Sequence, residues 1–300
     1  MDLGKKLDNG EFVTLAEFTP PKGTDVSAMI ENAARIQGYV DALVIPDLSG
    51  AIMRMSALGG AILLQGQGIP TALEMNCRDR NRLALQADLL AASAHGITNI
   101  VVASGDDLKT GDHPEAKAVF DADVLVLLET IRSMQQGKDM AGRELQGIPK
   151  FLVGATTNAT TKGKELKAEV EAVKKKIERG AAYFLSPPLF DISSIQPFLE
   201  LIAGENIKII PKVLLLKSVG MARYIDAHND LIEIPRSLIE RIEDADDIPR
   251  ELIHIATEMI ATLKREGFSG VLLSTAGWER RLPEILGVYG AAQPAARTGG

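Results

Sequence analysis

A chain of 300 residues, 46% hydrophobic and 24% charged with a mean hydropathy of +0.06, carries enough apolar material for a large core, which excludes bulk disorder. Its 40 acidic against 33 basic side chains give a net charge of -7, the wrong sign for neutralising a phosphate backbone, and 4% aromatics are too few for base-stacking platforms, so nucleic acid is excluded as a partner. The longest apolar runs fall far short of the roughly 20 residues of a membrane span, and Met1-Asp-Leu-Gly-Lys-Lys6 leads into Asp8, Asn9, Gly10 and Glu11 instead of a signal-peptide core, so a cytoplasmic protein is expected.

In chain order, short runs rich in Val, Ile and Leu alternate with longer amphipathic segments. The spacing predicts strands over Phe12–Glu17, Ala42–Ile45, Thr71–Met75, Ile100–Ala103, Lys150–Gly154, Ala182–Ser186, Lys208–Val213 and Gly270–Leu273. A helix is predicted from Arg80 to Ala94, with Leu83, Leu85, Leu89, Leu90 and Ala94 on its apolar face and His95-Gly96 ending it. Another runs from Gly163 to Arg179 and stops at Gly180, with Lys174, Lys175, Lys176 and Arg179 complementing the dipole of its last turns. An open doubly wound sheet fits the same alternation, but eight strand-helix repeats in this length match a single (β/α)8 TIM barrel better. The barrel is expected over residues 1–290, with a frayed tail over 291–300.

In such a barrel the side chains that close each strand build the active site. Strand one ends at Glu17, before Pro20 and Pro21, so a partly desolvated carboxyl with a raised pKa, able to donate a proton near neutrality, is one expectation; a carboxylate salt-bridged to a neighbouring Arg is the other. Strand four ends in Ser104-Gly105-Asp106-Asp107, and the polar stretch Gly105 to Glu115, which includes Asp112 and His113, reads as an active-site loop. Glu17 and Asp106 together could divide acid and electrostatic roles, or hold a hard cation. Cys77-Arg-Asp-Arg-Asn81 puts Arg78 and Arg80 beside Asp79 and Asn81 at a loop-to-helix junction, where a plain helix cap and an anion site are both open. No glycine-rich phosphate fingerprint follows a strand, because Gly66-Gln-Gly68 precedes one. The lone Cys77 reads as a packed residue, and with four scattered histidines it makes neither a disulfide nor a cysteine-rich zinc site; no resident metal is expected. His95, His228 and His254 fall on or at the ends of helices, which leaves His113 as the histidine in a mouth loop.

Taken together, several segments resemble the methylenetetrahydrofolate reductase family: Glu17-Phe-Thr-Pro-Pro-Lys22, Cys77 to Gln86, Gly105-Asp106 through Gly111-Asp-His-Pro-Glu-Ala116, Val119-Phe-Asp121, Val153-Gly-Ala155, and Leu216-Lys-Ser-Val-Gly-Met-Ala-Arg-Tyr224. The resemblance is nearest to the barrel subunits of anaerobic one-carbon pathways. It implies a barrel that holds FAD, or FMN, at its C-terminal face, takes hydride from NAD(P)H or a partner redox subunit, and reduces 5,10-methylenetetrahydrofolate to 5-methyltetrahydrofolate. It implies Glu17 as the general acid and Asp106 as the charge beside flavin and pterin. Flavin contacts are implied at Glu74, Arg78, Ser104, Gly105, Asp106, Phe120, Asp121, Gly154, Thr156 and Lys176, and folate contacts at Glu17, Asp106, Pro187 and Lys217. The chain departs from the family pattern where Ser186-Pro187-Pro188 replaces Thr-Gln, where strand two ends in Pro46-Asp47 without a threonine, and where strand three offers Glu74 and Asn76. Those departures motivate an alternative: a flavin-free paralogue acting on a pterin-type one-carbon carrier, or a barrel subunit of a larger redox complex. A homo-oligomer or a hetero-oligomeric redox assembly is the expected quaternary state.

Overall fold

The computed structural model describes residues 2–291, so that all of the expected tail but Ala291 lies outside the described residues. Eight parallel strands close into one barrel in sequence order: β1 (Val13–Glu17), β2 (Ala42–Ile45), β3 (Thr71–Asn76), β4 (Asn99–Ala103), β5 (Leu152–Thr156), β6 (Tyr183–Pro188), β7 (Ile209–Leu214) and β8 (Gly270–Ser274). Helices α1 (Leu3–Asp8), α2 (Ser27–Ile36), α3 (Ala57–Gly66), α4 (Arg82–Ala94), α5 (Val124–Gln135), α6 (Gly163–Glu178), α7 (Gln196–Ile202), α8 (Val219–His228), α9 (Arg236–Glu243), α10 (Ile248–Arg265) and α11 (Leu282–Ala291) surround it. The (β/α)8 expectation is met. No described helix is long and apolar enough to cross a membrane.

Two apolar clusters hold the barrel. One lies between the outer faces of the strands and the helices, and includes Ala16, Leu43, Ile45, Leu73, Met75, Ile100 and Val102. The other fills the barrel itself with Val13, Leu15, Ala42, Val44, Ala72, Val101, Tyr183, Leu185, Ile210 and Leu272, together with Leu3 and Leu7 of α1. Strand side chains alternate between the two faces, so the inward rows continue upward from this interior cluster. Above Leu15 comes Glu17, above Ala72 comes Glu74, above Ile210 comes Lys212, and above Leu272 comes Ser274. The barrel's lower interior is apolar and its upper end is charged.

Strand ends differ from the sequence reading by one or two residues, mostly at the upper end. β3, β5, β6 and β8 run on to Asn76, Thr156, Pro188 and Ser274, beyond the apolar runs. Hydrophobicity stops where the inward row reaches the polar mouth, whereas the backbone ladder continues past that point. α4 begins two residues later than expected because Asn81 caps it, its side chain accepting from Leu83 N and Ala84 N. Its buried stripe is Leu85, Leu89 and Ala92; Leu83, Leu90 and Ala94, expected on the apolar face, are exposed.

Candidate active site

The loops at the upper ends of the strands enclose a cavity of about 240 Å3, lined by residues from seven of the strand ends together with Leu272 of β8. Its wall divides by strand. β1, β2, β3 and β7 contribute Glu17, Asp47, Glu74 and Lys212, whereas β4, β5 and β6 contribute Ser104, Gly105, Thr156, Thr157, Asn158, Ser186 and Pro187. One half is charged and the other is neutral and polar. Asp106 lies at the seam and turns toward the charged half, since its Oδ2 accepts from Gly50 N at 2.6 Å.

The centre of the charged half is an ion pair between Glu17 and Lys212, 2.7 Å apart, with Ser274 Oγ donating to the other carboxylate oxygen at 2.8 Å. Burial pushes Glu17 toward the neutral form, but the Lys212 ammonium and the two hydrogen bonds outweigh it and hold the carboxyl below its usual range. Glu17 is thus held down, not raised, as the salt-bridged carboxylate, and its partner is Lys212 from β7 instead of the neighbouring arginine expected. The raised carboxyl is Glu74. Burial lifts it to about 7, against the pull of Lys212 and a hydrogen bond from Asp47 N at 3.2 Å, and with the negative charges of Glu17 and Asp47 adding to the rise.

Beneath the rim a second charged network fixes the loops. Asp47, almost fully buried, pairs with Arg80 and accepts from Asn76 N at 2.9 Å; burial still pushes its carboxyl up. Arg78 is 1% exposed, and its guanidinium spans Asp79, the Asp106 carbonyl at 2.9 Å and the Leu48 carbonyl at 3.4 Å. It thus ties the loop after β3 to the loops after β2 and β4. The loop after β2 needs tying, because Leu48 and Ala51 both sit at positive φ, 53° and 55°. The polar loop from Gly105 folds down on the same segment, with Asp112 accepting from Met53 N at 2.9 Å and pairing with Lys22.

Of the residues singled out in the sequence, Glu17, Glu74, Ser104, Gly105, Asp106, Thr156 and Pro187 meet in the cavity wall. The others lie elsewhere. Gly154 is one inward position below Thr156, where a Cβ would stand 2.4 Å from the Tyr183 ring, so its missing side chain makes room for that ring. Asp121 is bound by Arg82 at the start of α4, and Phe120 beside it is 52% exposed. Lys176 lies behind the neutral half, donating to the Thr156 carbonyl at 2.9 Å with Glu169 at 3.7 Å. Lys217 donates to the Ala276 carbonyl over the Trp278 ring. His113 is exposed beside Asp112, and Cys77 is buried, where burial and the Asp123 charge push its thiol up to about 12. Lys212, Ser274 and Thr157 escaped the sequence reading. For Lys212 a signal existed: it interrupts the apolar run Ile209–Leu214 at an inward register.

The sequence matches the model of the methylenetetrahydrofolate reductase family over residues 2–290. The chain belongs to that family. Among relatives in the methylenetetrahydrofolate reductase family, methylenetetrahydrofolate reductase 2 of Schizosaccharomyces pombe is 23% identical over 273 residues, covering 88% of this chain and 42% of that protein. The 5,10-methylenetetrahydrofolate reductase of Salmonella typhimurium is 27% identical over 205 residues, covering 67% of this chain and 63% of that protein. The chain thus spans less than two thirds of the length of either. Among solved structures, an uncharacterised protein from Clostridium thermocellum that binds two copies of 5-methyl-5,6,7,8-tetrahydrofolic acid shares the fold, with a TM-score of 0.66 at 15% identity, covering 97% of this chain and 98% of that one.

Proposed function

We propose that this member of the methylenetetrahydrofolate reductase family reduces 5,10-methylenetetrahydrofolate to 5-methyltetrahydrofolate, with the pterin in the charged half of the mouth and a flavin, FAD or FMN, as hydride carrier. The observation that carries the reading is the convergence of Glu17, Glu74 and Asp106 with Lys212 in one cavity at the upper end of the barrel. Family membership supports it, as does a protein of the same fold whose ligand is the methylated folate.

The pterin's amino-pyrimidinone edge presents N–H donors, which suit carboxylates. Asp106, anchored through Oδ2 to Gly50 N, keeps Oδ1 for such a contact. Opening the five-membered ring of the substrate produces a cationic iminium at N5, and the ionised Glu17, held by Lys212 and Ser274, is a preorganised negative charge for it. Because the pair is already formed, no reorganisation is needed as the cation develops.

The neutral half fits a flavin ring. Ser104, Gly105, Thr156, Thr157 and Asn158 offer hydroxyl, amide and backbone groups there, with no carboxylate to repel an anionic reduced ring, and Gly105 at φ 92° brings the chain close without a side chain. A bound flavin would take two electrons from NAD(P)H or a partner redox subunit and deliver them as hydride. Thr157 Oγ1 and Asn158 N are both held by Glu169, at 2.8 and 3.0 Å, which makes that wall rigid.

Two measurements test the reading. The absorption spectrum of protein purified without added cofactor is expected to show flavin bands; a colourless protein that binds neither FAD nor FMN would overturn the flavin assignment and favour direct transfer from a nicotinamide. Glu17→Gln is expected to slow methylenetetrahydrofolate-dependent flavin reoxidation by about 100-fold or more, while the donor still reduces the flavin. Wild-type turnover in that variant would refute the role given to Glu17.

A further inference from the structure

We propose that the outward face of α4 is the surface through which two copies of this chain pair about a twofold axis; the inference is independent of the reaction proposed above. The helix is apolar on two sides. Leu85, Leu89 and Ala92 face the barrel and are buried, whereas Leu83, Ala87, Leu90 and Ala94 are exposed, Leu83 by 74% and Leu90 by 41%. At about 100° per residue the four exposed positions fall within a stripe about 60° wide, on the side away from the buried set. Single exposed leucines are ordinary, but an apolar stripe running the length of a helix marks a contact surface. Leu63 of α3 and Val126 of α5 are exposed as well and extend the apolar character to the helices on either side.

The charges of α4 are committed elsewhere. Asp121 holds Arg82, Arg80 holds Asp88, and no other charged side chain lies between Asn81 and His95. α6 shows the contrast, with Lys164, Lys167, Glu171, Lys175 and Glu178 at exposed positions. Two chains that each carry a net charge of -7 repel one another, so they meet best on a face without uncommitted carboxylates.

The order of residues along the stripe selects a second copy as the occupant. Intervals of 4, 3 and 4 residues are those of a helix-packing seam, and along it leucine alternates with alanine. A twofold axis perpendicular to α4, passing it between Asp88 and Leu89, sets Leu83 opposite Ala94 of the second copy and Ala87 opposite Leu90 of the second copy. Every leucine then meets an alanine. Large against small lets the two antiparallel helices interdigitate at the density of a protein interior. Parallel helices would put leucine on leucine and alanine on alanine, overfilling some layers and leaving gaps in the others. The antiparallel pair also sets the N-terminal end of each helix dipole beside the C-terminal end of the other. One patch thus completes itself, which is the requirement of an isologous contact. Because α4 lies on the outer wall of the barrel, this pairing points the two mouths in opposite directions and covers neither.

Sedimentation of the full chain tests the pairing, and thiol cross-linking tests its register. Wild type at micromolar concentration is expected at twice the 32.2 kDa of the chain. Leu83→Glu combined with Leu90→Glu is expected to weaken the dimer by at least about 100-fold and to give the 32.2 kDa species with an unchanged circular dichroism spectrum. For the register, Leu83→Cys and Ala94→Cys proteins are mixed and oxidised; the native Cys77 is buried and does not compete. The mixture is expected to yield a disulfide joining one protein of each kind, while either variant alone stays unlinked, because like positions then lie roughly 16 Å apart along the helices. A 32.2 kDa wild type, a dimer indifferent to the double substitution, a mixture that forms no cross-link, or cross-links that join like with like would each overturn the inference. None of these readouts uses turnover, so the reductase reading stands or falls separately.

Discussion

Glu17 and Glu74 are the same residue type at the same height in the barrel, and they are driven in opposite directions by what stands next to them. Lys212 makes the difference, and its removal has a calculable consequence. Lys212→Met leaves Glu17 as a buried charge with only Ser274 for support, which is expected to lower stability by roughly 2–4 kcal/mol in urea denaturation. Stability should also depend on pH with opposite signs at the two sites. The lowered Glu17 contributes stability that is present above its unfolded value of 4.5 and is lost as pH falls through its folded value. The raised Glu74 contributes stability that is full below 4.5 and is lost as pH rises through about 7. Glu74→Gln removes that second loss, so its melting temperature relative to wild type is expected to rise with pH across that window. A difference that stays flat with pH would contradict the titration assigned to Glu74.

At the scale of elements, the mouth is built by strands that outrun their hydrophobicity and by loops clamped to one another from below. Arg78 is the clamp for three loops, buried beneath them and outside the cavity lining. Gly154 shows the same principle inside the barrel: β5 approaches β6 there only because the Tyr183 ring has the space a side chain would fill. Gly154→Ala is expected to cost roughly 1–3 kcal/mol by overpacking, measured by thermal denaturation, with cofactor binding retained in the folded fraction. On the outside, Asn81→Ala removes the cap of α4 and is expected to cost about 1 kcal/mol in the same assay. Both effects are local, and neither touches the ionisable groups of the mouth.

Across the whole molecule, charge and apolar burial are segregated along the barrel axis. The lower end is plugged by α1, whose Leu3 and Leu7 join the interior cluster, so the upper cavity has an apolar floor. Burial is the largest cause of the upward push on Glu74, ahead of the neighbouring carboxylates. Replacing Leu3 and Leu7 together with alanine is expected to lower the free energy of unfolding by roughly 4 kcal/mol or more, read from the midpoint of the urea transition. Water admitted below the mouth would also let the Glu74 carboxyl move down toward the ordinary carboxylate value.

The sequence by itself determined the repeat: eight apolar runs alternating with amphipathic segments admit few closed arrangements, and the runs fell within one or two residues of the strands because burial on both faces writes itself into consecutive residues. It also placed Glu17 and Asp106 at strand ends, since a carboxylate closing an apolar run is visible one residue at a time. What only the tertiary structure decided is the direction in which the Glu17 and Glu74 carboxyls are pushed. Glu17 and Lys212 are 195 positions apart, and no pattern in either segment announces the other. Likewise Glu74 stood in the sequence as a departure from a family pattern, and its carboxyl is pushed up only where the closed barrel buries it and brings Glu17 and Asp47 against it. Charge interactions act through space with a range of a few ångströms, so they belong to whichever residues the closed barrel makes neighbours, and sequence order carries no record of that.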